Sequence, residues 1–130
     1  MPAPVLVVHD EMDTRDLALA ALRASGLEAI GFNDPMAALA AIEIDSRVRV
    51  LVTRINFGER KLNGVALARM LSFRRRRMKT VFIALPEYES FAEGVGEFLA
   101  MPLNHYHLID VVGRLLSSRD LETDDIVAAA

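Results

Sequence analysis

The sequence predicts a three-layer α/β fold, a doubly wound five-stranded parallel sheet with helices on both faces. Short wholly apolar runs alternate with longer segments of helical pattern along the chain. The apolar runs are short and continuous, as expected of strands buried between two helical layers. The chain has 130 residues, 52% hydrophobic and 25% charged, enough for one buried core and unlike the composition of a disordered chain.

Val5-Leu6-Val7-Val8 is the first strand, ending in His9-Asp10-Glu11. Asp13 is read as the cap of the next helix, with Asp16 in its first turn. That helix carries Leu17, Leu19, Ala20, Ala21 and Leu22 and stops at Ser25-Gly26. Glu28 to Phe32 is the second strand. Asn33-Asp34-Pro35 places a capping residue before a proline at the first helical position, and the alanine-rich stretch Met36 to Ile44 follows as helix, burying Leu39 and Ile42.

Val48 to Thr53 is the third strand, ending at Arg54. A polar loop from Asn56 to Leu62 leads to Asn63-Gly64, which opens a third helix with Val65, Ala68 and Leu71 on one face. Val81 to Leu85 is the fourth strand and Phe98 to Ala100 the fifth, stopped by Pro102. The last helix spans Asn104 to Ser117 with Leu108, Ile109, Val112, Leu115 and Leu116 as its stripe. The domain is expected over 1–118, with an acidic, loosely docked tail over 119–130.

Composition excludes several chemistries. There is no cysteine, so no disulfide, thiolate site or thiol nucleophile. No apolar run reaches the ~20 residues that cross a bilayer, and no signal-peptide pattern is read, so a cytoplasmic location is expected and no membrane partner. A net charge of −3 does not by itself steer partners. There is no P-loop, GxGxxG or G-x-S-x-G sequence. His9-Asp10 lacks the further ligands that a metal phosphohydrolase needs, and His105 and His107 are spaced to point apart on a helix.

In a doubly wound sheet the site lies beyond the carboxyl ends of the strands. The residues there carry a resemblance. Val-Leu-Val-Val-His-Asp-Glu at 5–11, Leu-Val-Thr-Arg-Ile-Asn at 51–56, Asn-Gly-Val-Ala-Leu-Ala at 63–68 and Phe-Leu-Ala-Met-Pro at 98–102 together resemble a CheY-like response-regulator receiver domain, from Val5 to about Leu116. The resemblance implies a flavodoxin-like fold and a signalling module rather than an enzyme. Members of the family carry a phosphoacceptor aspartate after strand three and an acidic pair after strand one that holds Mg²⁺. A hydroxyl follows strand four and a lysine precedes the proline of strand five. The metal and the lysine neutralise the transferring phosphoryl group.

This sequence departs from that pattern at nearly every position. Arg54 stands at the acceptor, His9 at the first acid with Asp10 and Glu11 beside it, Leu85 or Pro86 at about the hydroxyl and Met101 at the lysine. The resemblance therefore implies a degenerate phosphorylation pocket with no catalytic residue, in which Mg²⁺ binding is lost and Asp10 and Glu11 are the residual metal candidates. Arg54 is expected close to Asp10 and Glu11, its guanidinium suited to locking the pocket; the competing reading is drift, with Arg54 turned to solvent.

The segment Pro86 to Glu93 allows at most about two helical turns where the family has a full helix. Its shortening points to Tyr88, Phe91 and Tyr106 as a partner surface, against the plainer reading that these rings close the core. The expected partner is a signalling protein, a histidine kinase or an output protein, with a homodimer as a further arrangement. Two other functions compete. One is a conventional phosphoacceptor using a different acid, Glu59 in the loop being the nearest. The other is a nucleic-acid-binding adaptor using Arg74 to Arg77 with Arg69 and Lys79, for which salt-dependent binding is the signature. A solvated run at a helix end explains those cations more simply.

Overall fold

The computed structural model describes residues 4–45 and 47–117, so the expected tail at 119–130 lies outside the described residues. In chain order the elements are β1 (Val5–Val8), α1 (Met12–Ala24), β2 (Ala29–Phe32), α2 (Pro35–Ile44), β3 (Val50–Thr53), α3 (Gly64–Arg74), β4 (Lys79–Ala84), a 3₁₀ helix (Pro86–Ala92), β5 (Glu97–Ala100) and α4 (His105–Leu116). All strand pairings are parallel and the sheet order is β2-β1-β3-β4-β5. This is the expected doubly wound five-stranded sheet.

Side chains alternate across the pleat, so each strand feeds two cores. Val5 and Val7 pack with Leu22, Val52, Ile83, Leu108 and Val112 beneath α1 and α4. Leu6 and Val8 pack with Ile42, Leu51, Leu67, Leu71 and Phe82 beneath α2 and α3. Each fully buried Leu, Ile or Phe side chain contributes roughly 2–3 kcal/mol over leaving it in water. The continuous apolar runs thus mean burial on both faces.

Local signals set most boundaries. Asp34 caps α2 by accepting from the Ala37 amide at 3.2 Å, with Pro35 at the first position. Asn63 caps α3 through the Val65 amide at 2.7 Å, and Asn104 caps α4 through the amides of Tyr106 and His107. The α1 start differs from the sequence expectation. Its cap residue is Glu11, and Asp13 sits inside the first turn. The reason is the tight turn after β1, where the Glu11 amide donates to His9 Nδ1 at 3.2 Å and the Thr14 hydroxyl donates to the Glu11 carboxylate. Strand ends also shift: β3 begins at Val50 rather than Val48, and β4 at Lys79 rather than Val81. On α3, Leu67 is buried with Ala68 and Leu71, while Val65 is only half-buried.

The fourth crossover is a 3₁₀ helix in place of an α-helix. Pro86 occupies its first turn, and the Tyr88 amide donates to the Leu85 carbonyl at 2.9 Å, a bond of three-residue spacing. Ala92 anchors the segment in the core. No helix among the described residues is long and apolar enough to cross a membrane.

Candidate functional site

The sheet order reverses between β1 and β3, and the backbone brings their ends together there. The Arg54 amide donates to the Val8 carbonyl at 3.0 Å, and the His9 amide donates to Phe32 at 3.0 Å. The ladder thus runs one residue beyond each strand, placing His9, Asp10 and Arg54 side by side at the carboxyl edge. The following loop is pinned by the Gly64 amide, which donates to the Ile55 carbonyl at 2.8 Å. A Cβ on Gly64 would stand 1.8 Å from the Arg54 carbonyl oxygen, so only glycine permits this closure.

Arg54 Nη1 donates to Asp10 Oδ1 at 2.8 Å, the partners being 23% and 39% exposed. The guanidinium is folded onto the acid rather than turned outward. His9 lies beneath it, only 1% exposed. Its Nδ1 accepts from the Glu11 amide, so the neutral ring carries its proton on Nε2. That Nε2 is buried with no hydrogen-bond partner among the described residues. Burial holds the imidazole below its ordinary value of 6.5, and the positive charge of Arg54 pushes the same way against Asp10 and Glu11. Arg15 Nη1 donates to the His9 carbonyl at 2.8 Å and fixes the turn from α1.

Glu11, Leu85 and Met101 do not join the Arg54–Asp10 pair. They line an adjacent shallow hollow of about 310 Å³ with Thr14, Leu17 and Pro102. The floor of that hollow is apolar, and it holds no cation facing the acids. Glu59, the alternative acceptor, stands on an exposed turn between Gly58 and Lys61. Lys61 pairs with Asp34 at 3.1 Å and holds that carboxyl below the ordinary carboxylate range.

The residues present do not fit Mg²⁺. That ion takes a near-octahedral set of oxygens. Here Asp10 is engaged by a guanidinium, Glu11 accepts from Thr14, and the first acid is an imidazole whose Nδ1 is already used. Among the described residues no group of three or more His, Cys, Asp or Glu side chains converges.

The three aromatic candidates separate. Tyr88 packs against the α2–α3 core, its ring 5.9 Å from that of exposed Phe91. Its hydroxyl accepts from Asn56 Nδ2 at 2.9 Å, tying the 3₁₀ helix to the loop after β3. Tyr106 instead lines a groove between α1 and α4 with Leu17, Ala21 and Ile109. It lies in the opposite layer, so the expected common surface reduces to Tyr88 and Phe91. The site roles of Asn56, Arg15 and Gly64 carry little sequence signal: Asn56 meets Tyr88 across 32 residues, while Arg15 and Gly64 act through the closure of turns onto His9 and onto Arg54 and Ile55.

The basic run also divides. Arg74 pairs with Glu43, and Arg75 donates to the carbonyls of Ile42 and Asp45 at the end of α2. Arg76 turns the other way, into a groove shared with Arg69, Lys79 and Arg114.

No protein-family model and no curated protein matches the chain. Solved structures do. NtrX from Brucella abortus is 28% identical with a TM-score of 0.83, the match covering 98% of this chain and 30% of that one. The present chain therefore spans about three-tenths of the length of NtrX. The isolated receiver domain of NtrX is 29% identical with a TM-score of 0.79, covering 88% of this chain and 98% of that one. The chemotaxis protein CheY4 from Vibrio cholerae is 20% identical with a TM-score of 0.76, covering 88% and 99%. This chain has the CheY-like receiver fold of response regulators. Receivers of that type are signalling modules of two-component systems, working through contacts with kinases or output domains.

Proposed function

We propose that this chain is a pseudo-receiver, a two-component signalling module that acts by protein contact without accepting a phosphoryl group. The observation that carries the reading is the 2.8 Å ion pair between Arg54 and Asp10. Phosphoryl transfer in this fold needs a carboxylate nucleophile where Arg54 stands, and a guanidinium that stays protonated offers no lone pair in its place. It also puts fixed positive charge where a metal would sit. Leu85 and Met101 supply neither the hydroxyl nor the cation that would grip a phosphate. The pair locks the carboxyl edge in one charge state, and Mg²⁺ affinity is lost with it.

The module then presents a fixed surface to a histidine kinase or an output protein in the cytoplasm, with Tyr88 and Phe91 as contact residues. Intact mass after acetyl phosphate and Mg²⁺ treatment, recorded beside an amide NMR titration, tests this reading. No added phosphate mass and no saturable shifts at Asp10, Glu11 or Arg54 are expected. A stable adduct or saturable Mg²⁺ shifts there sink the proposal. The Arg54→Asp variant is expected to gain Mg²⁺-dependent shifts at Asp10; no gain would remove the locking role.

A further inference from the structure

At the opposite end of the sheet from Arg54, the start of β4, the turn into β5 and the last turns of α3 and α4 enclose an open groove of about 620 Å³. Arg69, Arg76, Lys79 and Arg114 converge on it, against one carboxylate, Glu97. Glu97 is taken by Arg114 at 3.2 Å. Arg69, Arg76 and Lys79 pair with no carboxylate among the described residues. Arg74 pairs with Glu43 and Arg75 donates to carbonyls at the end of α2, whereas Arg69, Arg76 and Lys79 are a local surplus of positive charge in a chain whose net charge is −3.

We infer that this groove is the docking site of the chain's own acidic segment, Asp120 to Asp125. Three observations converge on that occupant. The first is charge: Asp120, Glu122, Asp124 and Asp125 put four carboxylates into six residues, the densest acidic run in the sequence. The second is connection. The last turn of α4 lines the groove through Arg114 and Leu115, and the chain leaves α4 at Ser117. At about 3.3 Å per extended residue, the stretch from Ser117 to Asp125 reaches ~26 Å, enough to cross both β4 and β5, which lie about 4.8 Å apart. The third is the lining. It contains no aromatic side chain on which a base could stack, which disfavours a nucleic-acid strand. Val95 and Leu115 do offer an apolar strip for Leu121, which stands between two of the acids.

The attraction of each exposed pair is small and salt-screened. A short tether nevertheless holds the segment at a millimolar effective concentration, so a millimolar intrinsic affinity keeps the groove half occupied. An acidic partner approaching this edge must first displace the segment. This proposal is independent of the strand-end pocket and of its lost chemistry.

Because the sequence has no cysteine, Thr123→Cys carries a single nitroxide label without ambiguity. In the full-length chain at about 0.05 M salt, the label is expected to broaden the amides of Gly94 to Glu97 and Arg76 to Lys79 several-fold more than other surface amides. The broadening should be relieved at about 1 M salt, where charge is screened within ~3 Å. It should also be relieved by Arg69→Gln, Arg76→Gln and Lys79→Gln combined. Broadening confined to the end of α4, or indifferent to both salt and the triple variant, overturns the proposal. So does broadening that vanishes on tenfold dilution, which would place a second copy in the groove. Saturable displacement of the label by micromolar single-stranded oligonucleotide at about 0.15 M salt would assign the groove to nucleic acid instead.

Discussion

The two ends of the sheet treat charge in opposite ways. At the carboxyl end Arg54 and Asp10 satisfy one another at 2.8 Å above a buried, neutral His9. At the amino end Arg69, Arg76 and Lys79 face a groove with no carboxylate to spare. In the receiver fold the first place is where ion and phosphate chemistry is expected, and here its Asp10 is already paired with Arg54. A pocket loses affinity for an added ion when its charges already have partners, whatever their number. The unpaired end is the one that still attracts.

The contrast can be broken most severely through glycine. Gly64→Ala drives a Cβ to 1.8 Å from the Arg54 carbonyl, whereas Gly96→Ala meets the Thr80 carbonyl at 2.4 Å. Both contacts are with backbone, so the chain itself must shift. We expect about 3 kcal/mol for the first, with loss of the Arg54–Asp10 contact, and about 2 kcal/mol for the second. Urea midpoints in the reverse order would mean that the amino end is the more tightly determined one. Arg75→Ala comes next. It removes a half-buried guanidinium from the carbonyls of Ile42 and Asp45 and should cost about 2 kcal/mol.

Acid tests the carboxyl end more gently. His9 titrates below 6.5 when folded, so the unfolded chain binds the extra proton first. The stability this provides is complete above pH 6.5 and is lost as pH falls through the folded value. Denaturation midpoints measured between about pH 8 and 5 should drop over that window. Arg54→Met should shrink the drop by relieving one cause of the shift, at a direct cost of under ~1 kcal/mol for a partly exposed pair. An unchanged pH profile in that variant would show that burial alone sets His9. Smallest of all, Arg76→Gln should change stability by no more than about 0.5 kcal/mol, because its side chain is exposed and pairs with no described carboxylate.

Much of the architecture was legible from local pattern. Val5 to Val8 is apolar at every position because both pleat faces are covered, and Asp34-Pro35 and Asn63-Gly64 mark helix starts through bonds made within three residues. The start of α1 departs from capping preference because Glu11, not Asp13, is positioned by the His9 side chain, a contact set by the turn. The resemblance groups Tyr106 with Tyr88 and Phe91 on one output face, whereas packing puts Tyr106 in a groove between α1 and α4, which sequence does not specify.

The sequence alone determines that an arginine, a leucine and a methionine stand at these strand ends, positions at which the resemblance to receivers implies a carboxylate, a hydroxyl and a lysine. Composition at a position is a local property and survives any arrangement. Pairing is not. That Arg54 closes on Asp10, that His9 is buried, and that Arg74 and Arg75 turn to α2 while Arg76 turns to an open groove depend on which strands and helices become neighbours. Those neighbours are separated by tens of residues, and only packing the two cores around one sheet brings them within hydrogen-bonding reach.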